Sequence, residues 1–348
     1  MTVFAAPGDS VLADAEAALE RRDLLSAKAA FLTAALDGTE ADRCAAGLWM
    51  THMLSGDFSD AWRQSDAIRG RNAADPHRLW QGGSIDGKRV IVRCLHGFGD
   101  AVQMFQYLPI LRERCARLIV EVPPRLTEIA PYFFGMQDVI TWGENAPAQP
   151  PAWDVQLEIM ELPYLFRTET NVLPLSTKYL DLPSAMRNSV SSLMKDDRKR
   201  VGLVWSTGEW NRSRAIPFHH IEALTREKGI EFWNLQGGEE HGTWRSLPQT
   251  ENLRDGREAG DGILTLAALI QKMDLVITPD TLAAHLAGAL GKTTWLVLQH
   301  AADWRWMHDR TDTPWYPSLR LFRQTHQGDW KTVMNHVLAA LTVWKVNA

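Results

Sequence analysis

The apolar and polar positions of this chain fall into two regimes. Residues 10–75 are rich in Ala, Leu, Glu and Arg and show no strand-like alternation, which predicts helices. From residue 88 onward short apolar, β-branched runs take over. Residues 89–95 (RVIVRCL) are followed by His96-Gly97-Phe98-Gly99-Asp100, then by the helical pattern AVQMFQYLPILRERCA, then by a second strand at 117–122 (RLIVEV). Strand, glycine turn, helix and strand form a βαβ unit, the building block of a parallel sheet. Residues 138–142 and 153–157 supply further short strands.

A polar, charged stretch at 184–200 reads as a connection, after which the alternation starts again. Strands are expected at 201–205, 230–235, 275–278 and 294–298, and helices at 216–228, 263–273 and 281–290, the last stopped by Gly291. A final helical pattern at 329–346 is expected to close the chain and to pack back against the first of the two α/β regions. The fold class is therefore α/β: a helical segment at 1–80, one Rossmann-like domain at 85–190, a second at 198–325, and a closing helix at 326–348.

The helical front end contains a repeat. Residues 20–34 (ERRDLLSAKAAFLTA) align with 54–68 (LSGDFSDAWRQSDAI), so that Asp23 matches Asp57, Leu24 matches Phe58 and Ala27 matches Ala61. The offset of 34 residues is the period of the tetratricopeptide repeat, in which small residues such as Ala27 and Ala61 mark where two helices touch. A plain helical hairpin pair is the alternative. Arrays of this kind need at least about three repeats to stand alone, so the segment is expected to pack on the remainder of the chain.

Composition narrows the function classes. The 348 residues are 45% hydrophobic and 23% charged, a globular balance, and the net charge of −5 disfavours nucleic acid as the main partner. Three scattered cysteines, Cys44, Cys94 and Cys115, offer neither a disulfide framework nor a C-x-x-C metal site and fit a reducing compartment. With no secretory signal and no run of about 18 apolar residues, the reading is cytoplasmic, with peripheral association at the inner membrane left open.

Four segments offer chemistry. In the glycine loop, Gly97 and Gly99 let backbone approach a ligand, and Asp100 at the helix start is either a catalytic carboxylate or a helix N-cap. In DLVITPDTLAAHLAGALGK (274–292), Asp280 and Thr281 open a helix at a strand's carboxyl end. There the N–H groups of Thr281, Leu282 and Ala283, with His285 one turn on, can hold a diphosphate. Alternatively Asp280 is a cap and His285 a core histidine. Third, Ser206, Thr207, Arg212 and Arg214 surround a turn suited to phosphate, or form a solvated basic loop; Gln236 ends the next strand. Fourth, the Trp- and Arg-rich stretch 303–316 can stack on a base or sugar, or pack an edge. There is no Asp-x-Asp, no G-x-x-x-x-G-K-[ST], no H-E-x-x-H and no G-x-S-x-G.

Taken together, HGFGDAVQMFQYLPIL (96–111), VGLVWSTGEWNRSRAIP (201–217), DLVITPDTLAAHLAGALGK (274–292) and WRWMHDRTDTPWYPSLRLFRQTHQGDW (304–330) resemble the heptosyltransferase-type glycosyltransferases of family 9, and more closely bacterial tetratricopeptide proteins carrying such a domain. The resemblance implies a GT-B fold and a metal-independent enzyme without cofactor. Its substrates would be a nucleotide-diphosphate sugar and a glycan, lipid or protein acceptor. It implies that Asp100 is the acid/base residue, that residues 280–285 bind the donor diphosphate, that Ser206 and Thr207 lie near the phosphates, and that the helical segment presents an acceptor or protein partner. His96 stands where the family usually has a small or acidic residue, and Arg212 and Arg214 where heptosyltransferases present a lysine, so the donor is left open. A scaffold that kept the fold without turnover and a GT-B sugar-nucleotide epimerase are the alternative functions.

Overall fold

The computed structural model describes residues 7–36, 38, 40–71, 80–171, 173, 177–194, 198–247 and 252–347. The 195–197 part of the expected connection, and the ends of the helical segment at 1–6 and 72–79, lie outside the described residues. The chain divides into two compact units. The first is 1–83 with 161–173 and 301–310; the second is 84–160 with 174–300 and 311–348.

The first unit is built on α1 (Pro7–Glu20), α2 (Leu24–Leu36), α3 (Ala41–Ser55) and α4 (Phe58–Arg71). They form two hairpins in tandem. The 34-residue offset is visible in the turns. Gly56 ends α3 in the left-handed conformation (φ 83), and Arg22, 34 positions earlier, takes the same conformation (φ 63) between α1 and α2. The N–H of Asp23 donates to Ala18 O (3.0 Å) and that of Asp57 to His52 O (2.9 Å), so both turns recapture a helix-end carbonyl in the same way. Ala27 and Ala61 are fully buried, and a Cβ on Gly47 would lie 2.2 Å from the Phe31 ring, so small residues do admit the neighbouring helix. Two returning segments complete the unit. Trp62 Nε1 donates to Thr168 O (2.7 Å), Arg167 pairs with Asp66 (2.7 Å), and His308 N donates to Leu54 O (2.8 Å). The helices thus bury their open faces against parts of the chain remote in sequence.

The second unit holds two all-parallel sheets. Its elements run β1 (Arg89–Arg93), α5 (Phe98–Met104), α6 (Leu108–Glu113), β2 (Arg117–Val122), β3 (Asp138–Thr141), β4 (Val155–Glu158), α7 (Ser184–Ser189), β5 (Lys199–Leu203), α8 (Phe218–Thr225), β6 (Ile230–Asn234), β7 (Leu253–Asp255), α9 (Ile263–Lys272), β8 (Leu275–Pro279), α10 (Leu282–Ala289), β9 (Thr294–Leu298), β10 (Leu319–Arg323) and α11 (Trp330–Asn347). The first sheet has the order β3-β2-β1-β4 and the second β10-β9-β8-β5-β6-β7. Counted from its own first strand, the second sheet follows the doubly wound order 3-2-1-4-5-6. Central strands such as β6 and β8 are buried along their whole length, as expected where helices cover both faces.

Three expectations need correction. The helix expected from 101 onward is broken by a 3₁₀ turn, Phe105–Tyr107, before α6, because Pro109 has no N–H to continue the ladder. Strands β7 and β10 were not expected; both are edge strands, and β7 has only three residues. The closing helix α11 packs on the second sheet, not the first. Val333, Met334, Val337 and Leu341 share one core with Val201, Leu203, Trp295 and Val297. Only a few residues separate β10 from α11, so its apolar stripe falls on the face of the sheet it has just left.

Candidate active site

The reversal of strand order in the second sheet lies between β5 and β8, and the crevice beyond the carboxyl ends of such strands is where open α/β sheets bind ligands. A cavity of about 770 Å³ occupies that place. Its wall includes Ser206, Thr207 and Arg212 after β5, Gln236 after β6, and Thr281, Leu282 and Ala283 where α10 begins. Seven residues singled out from three separate stretches of sequence are therefore brought to one cavity. Arg214, Asp280, His285, Gly97, Gly99 and Asp100 do not line it.

Thr281, not Asp280, is the N-cap of α10, with extended backbone (φ −145) and a hydroxyl 3.1 Å from that of Thr278. Thr281, Leu282 and Ala283 line the cavity, and the first N–H groups of a helix have no intrahelical acceptor and carry the positive end of its dipole. Asp280 is 3% exposed and bound elsewhere. Arg214 Nη1 lies 3.4 Å from its Oδ2, and His285 Nε2 lies 3.6 Å from its Oδ1. Arg214 is thereby tied behind the wall, whereas Arg212 is mostly exposed and only loosely paired with Glu209 at 3.5 Å.

Gln236 shapes the β5 turn. Its Oε1 accepts from the N–H groups of Trp205 (3.2 Å) and Ser206 (2.9 Å), and Thr207 Oγ1 donates to Asn211 O (2.9 Å). These bonds hold the turn open toward the cavity.

Asp100 is neither N-cap nor cavity wall. Gly97 is the N-cap of α5 and Asp100 is the third helical residue, its Oδ2 accepting from the Gly97 N–H at 2.9 Å. The second glycine has a separate reason. A Cβ on Gly99 would lie 2.7 Å from His285 Cδ2, so α5 and α10 meet at this point only because residue 99 has no side chain. Behind the contact His285 Nδ1 is 2.9 Å from the Tyr316 hydroxyl, which is 3.3 Å from that of Tyr179, which in turn donates to Val102 O at 3.1 Å. Complete burial pushes the Tyr179 phenol well above its ordinary range, so it acts as a neutral donor. This buried chain of polar groups joins α10 to α5 and so fixes the glycine loop against the second sheet.

The aromatic stretch 303–316 divides into packing roles. Trp306, Trp315 and Tyr316 are all 1% exposed or less, and a Cβ on Gly288 would lie 2.3 Å from the Tyr316 ring, so α10 is notched to receive it. Two arginines of the cavity wall escaped the sequence reading. Arg257 lies two residues beyond β7, a strand too short to recognise. Arg125 follows β2 and stands 5.6 Å from the Phe98 ring; its place after a strand's carboxyl end was the available signal. Among the described residues, no group of three or more His, Cys, Asp or Glu side chains is placed to hold a metal ion, and no helix is long and apolar enough to cross a membrane.

No protein-family model matches the chain. It is 28% identical over 298 residues to Protein FlbA of Caulobacter vibrioides, covering 76% of this chain and 48% of that protein, so the chain spans about half the length of this relative. Among solved structures, Escherichia coli ADP-heptose heptosyltransferase II superposes with a TM-score of 0.56 at 12% identity, over 74% of this chain and 99% of that one. The family 9 glycosyl transferase of Veillonella parvula gives 0.54 at 12% identity, over 76% and 99%. Escherichia coli heptosyltransferase WaaC with ADP gives 0.50 at 12% identity, over 73% and 98%. The two parallel sheets, the doubly wound strand order and these superpositions together give the chain the GT-B fold of the family 9 heptosyltransferases.

Proposed function

We propose that this chain is a glycosyltransferase that takes a sugar from a nucleotide-diphosphate donor held by the second sheet and passes it to a glycan, lipid or protein acceptor. The observation that carries the reading is the cavity at the strand-order reversal. There the N-terminus of α10 and the Ser206–Thr207 turn converge from different elements. A helix N-terminus beside hydroxyl and N–H donors is a site for a diphosphate, the group that leaves when the sugar departs. The similar fold of structures described as an ADP-heptose heptosyltransferase and as a heptosyltransferase with ADP supports the same reading.

Transfer requires removal of the acceptor's proton while positive charge builds on the sugar ring. Asp100 is the residue proposed for this step. Its carboxylate is held at the start of α5 by the Gly97 N–H, and α5 abuts α10 through Gly99 and His285. The helical hairpins of the first unit, read as tetratricopeptide-like, are proposed to engage the acceptor or a protein partner. The domain limits at 85–190 and 198–325 assign one sheet to the acceptor and the other to the donor.

Thermal unfolding of the full chain with ADP, GDP or UDP tests the reading. A nucleotide at 100 times its dissociation constant stabilises by about 2.7 kcal/mol. Stabilisation by one of them, with slow hydrolysis of the matching nucleotide sugar, is expected. No shift with any nucleoside diphosphate overturns it.

A further inference from the structure

The returning segments leave one face of the helical unit bare. α2 buries Ala27, Phe31 and Ala34, and its outward side is apolar as well. Leu25 is 85% exposed, Leu32 48% and Leu36 88%, and Ala29 between them is exposed too. Positions 25, 29, 32 and 36 follow the i, i+4, i+7, i+11 spacing of a coiled-coil seam and line one side of the helix over about 16 Å. Lys28 is the one charged residue among the 13 of α2. Single exposed leucines are ordinary. Leucines in register on the outer helix of a repeat stack, with almost no charge beside them, are not.

The second repeat supplies the contrast. At an offset of 34 residues, α4 carries Ser59, Arg63, Asp66 and Gly70 at the same four places. There the chain covers its own helix. Ser59 Oγ donates to Glu169 (2.9 Å), and Asp66 accepts from Tyr164 (2.6 Å) and Arg167 (2.7 Å). The outer side of the second helix is thus a docking face in this repeat. It is polar in α4, where the chain supplies the cover, and apolar in α2, where the leucines stay in water.

We propose that the outer face of α2 joins two copies of this chain, α2 packed antiparallel on α2 about a two-fold axis near residues 30 and 31. The stripe is its own complement in that arrangement. Leu25 meets Leu36 of the second copy and Ala29 meets its Leu32, so large opposes small at the centre and the helices can approach closely. Charge selects the same direction. Arg21 stands four residues before the stripe and Glu40 four residues after it, both exposed. Antiparallel pairing sets each arginine beside the other copy's glutamate, whereas parallel pairing sets like against like. One helix pair is a small interface, so the dimer is expected to be weak, with a dissociation constant of roughly 10–100 µM.

Sedimentation equilibrium of the full chain from about 5 to 500 µM tests this. A reversible monomer–dimer equilibrium is expected. Leu36→Glu places a charge at both ends of the seam and should weaken the dimer at least about tenfold, and adding Leu25→Glu should leave monomer throughout. Both sites are exposed in the single chain, so circular dichroism and thermal unfolding at low concentration should match the wild type; Leu36→Ser serves if they do not. Arg21→Glu should weaken the dimer about tenfold at low salt. Adding Glu40→Arg to it should restore wild-type affinity, which a local effect of either residue would not do. A wild-type chain that stays monomeric across this range overturns the proposal. So does a dimer indifferent to Leu25→Glu and Leu36→Glu, which would lie on another surface. A charge reversal that Glu40→Arg fails to rescue overturns the antiparallel register.

Discussion

The ring of His285 occupies the space that a side chain at Gly99 would need: a methyl there would lie 2.7 Å from His285 Cδ2. The imidazole has little room to yield, because it is 2% exposed and its Nδ1 is 2.9 Å from the Tyr316 hydroxyl. Gly99 belongs to a helix, where alanine is intrinsically favoured. Gly99→Ala should nevertheless destabilise the protein by about 1–3 kcal/mol, the usual cost of overpacking a filled core. Chemical denaturation measures it. A stability equal to wild type would mean that α5 and α10 are not held in contact.

Asp100→Asn separates structure from chemistry. The amide oxygen of asparagine can still accept from the Gly97 N–H, so folding and nucleotide binding should be retained. Turnover should fall by about 10²–10⁴, the typical worth of a general base. Wild-type turnover in a folded variant would remove the catalytic role of this carboxylate and leave a scaffold as the better reading.

Gln236 is a positioning residue. Its Oε1 accepts from both Trp205 and Ser206 N–H groups. Gln236→Ala should release the β5 turn and weaken nucleotide binding about tenfold, near 1.4 kcal/mol by the thermodynamic conversion. The maximal rate with saturating donor should change less than the affinity. Titration calorimetry alongside saturation kinetics resolves the two, and a variant with unaltered affinity would show that the turn holds without this side chain.

The helical unit should be sensitive to mild acid. His52 is buried in α3, and burial holds its pKa below the ordinary value of about 6.5 despite Asp60 and Asp57, each 3.8 Å away. A histidine kept neutral in the folded state binds its proton more readily when unfolded. Its contribution is therefore present above the unfolded value and is lost as the pH falls below it. Hydrogen-exchange protection factors in α3, corrected for the intrinsic rate at each pH, are expected to fall from pH 7 to pH 5, and His52→Gln should flatten that response. An equal fall in protection in the variant would assign the effect to other groups.

Much of this protein was legible because its signals are local. The β-branched run at 89–93, the capped helix after 281 and the 34-residue echo of Asp23 in Asp57 each arise from contacts within a few residues. They predicted two parallel sheets behind a helical front. The roles of single polar residues were not local. Asp280 is adjacent to a helix start, yet Arg214, 66 positions earlier, holds it, and Thr281 does the capping. Whether α11 covered the first sheet or the second depended on which face lay open after β10. Arg257 carried no sequence pattern, because its meaning comes from Gly237 on a neighbouring strand's loop. Hydrophobic period and turn chemistry decide which elements form. Which buried donor meets which acceptor is decided only when sheet order brings distant segments together, since an unpaired polar group is costly only in the water-free place where the fold puts it.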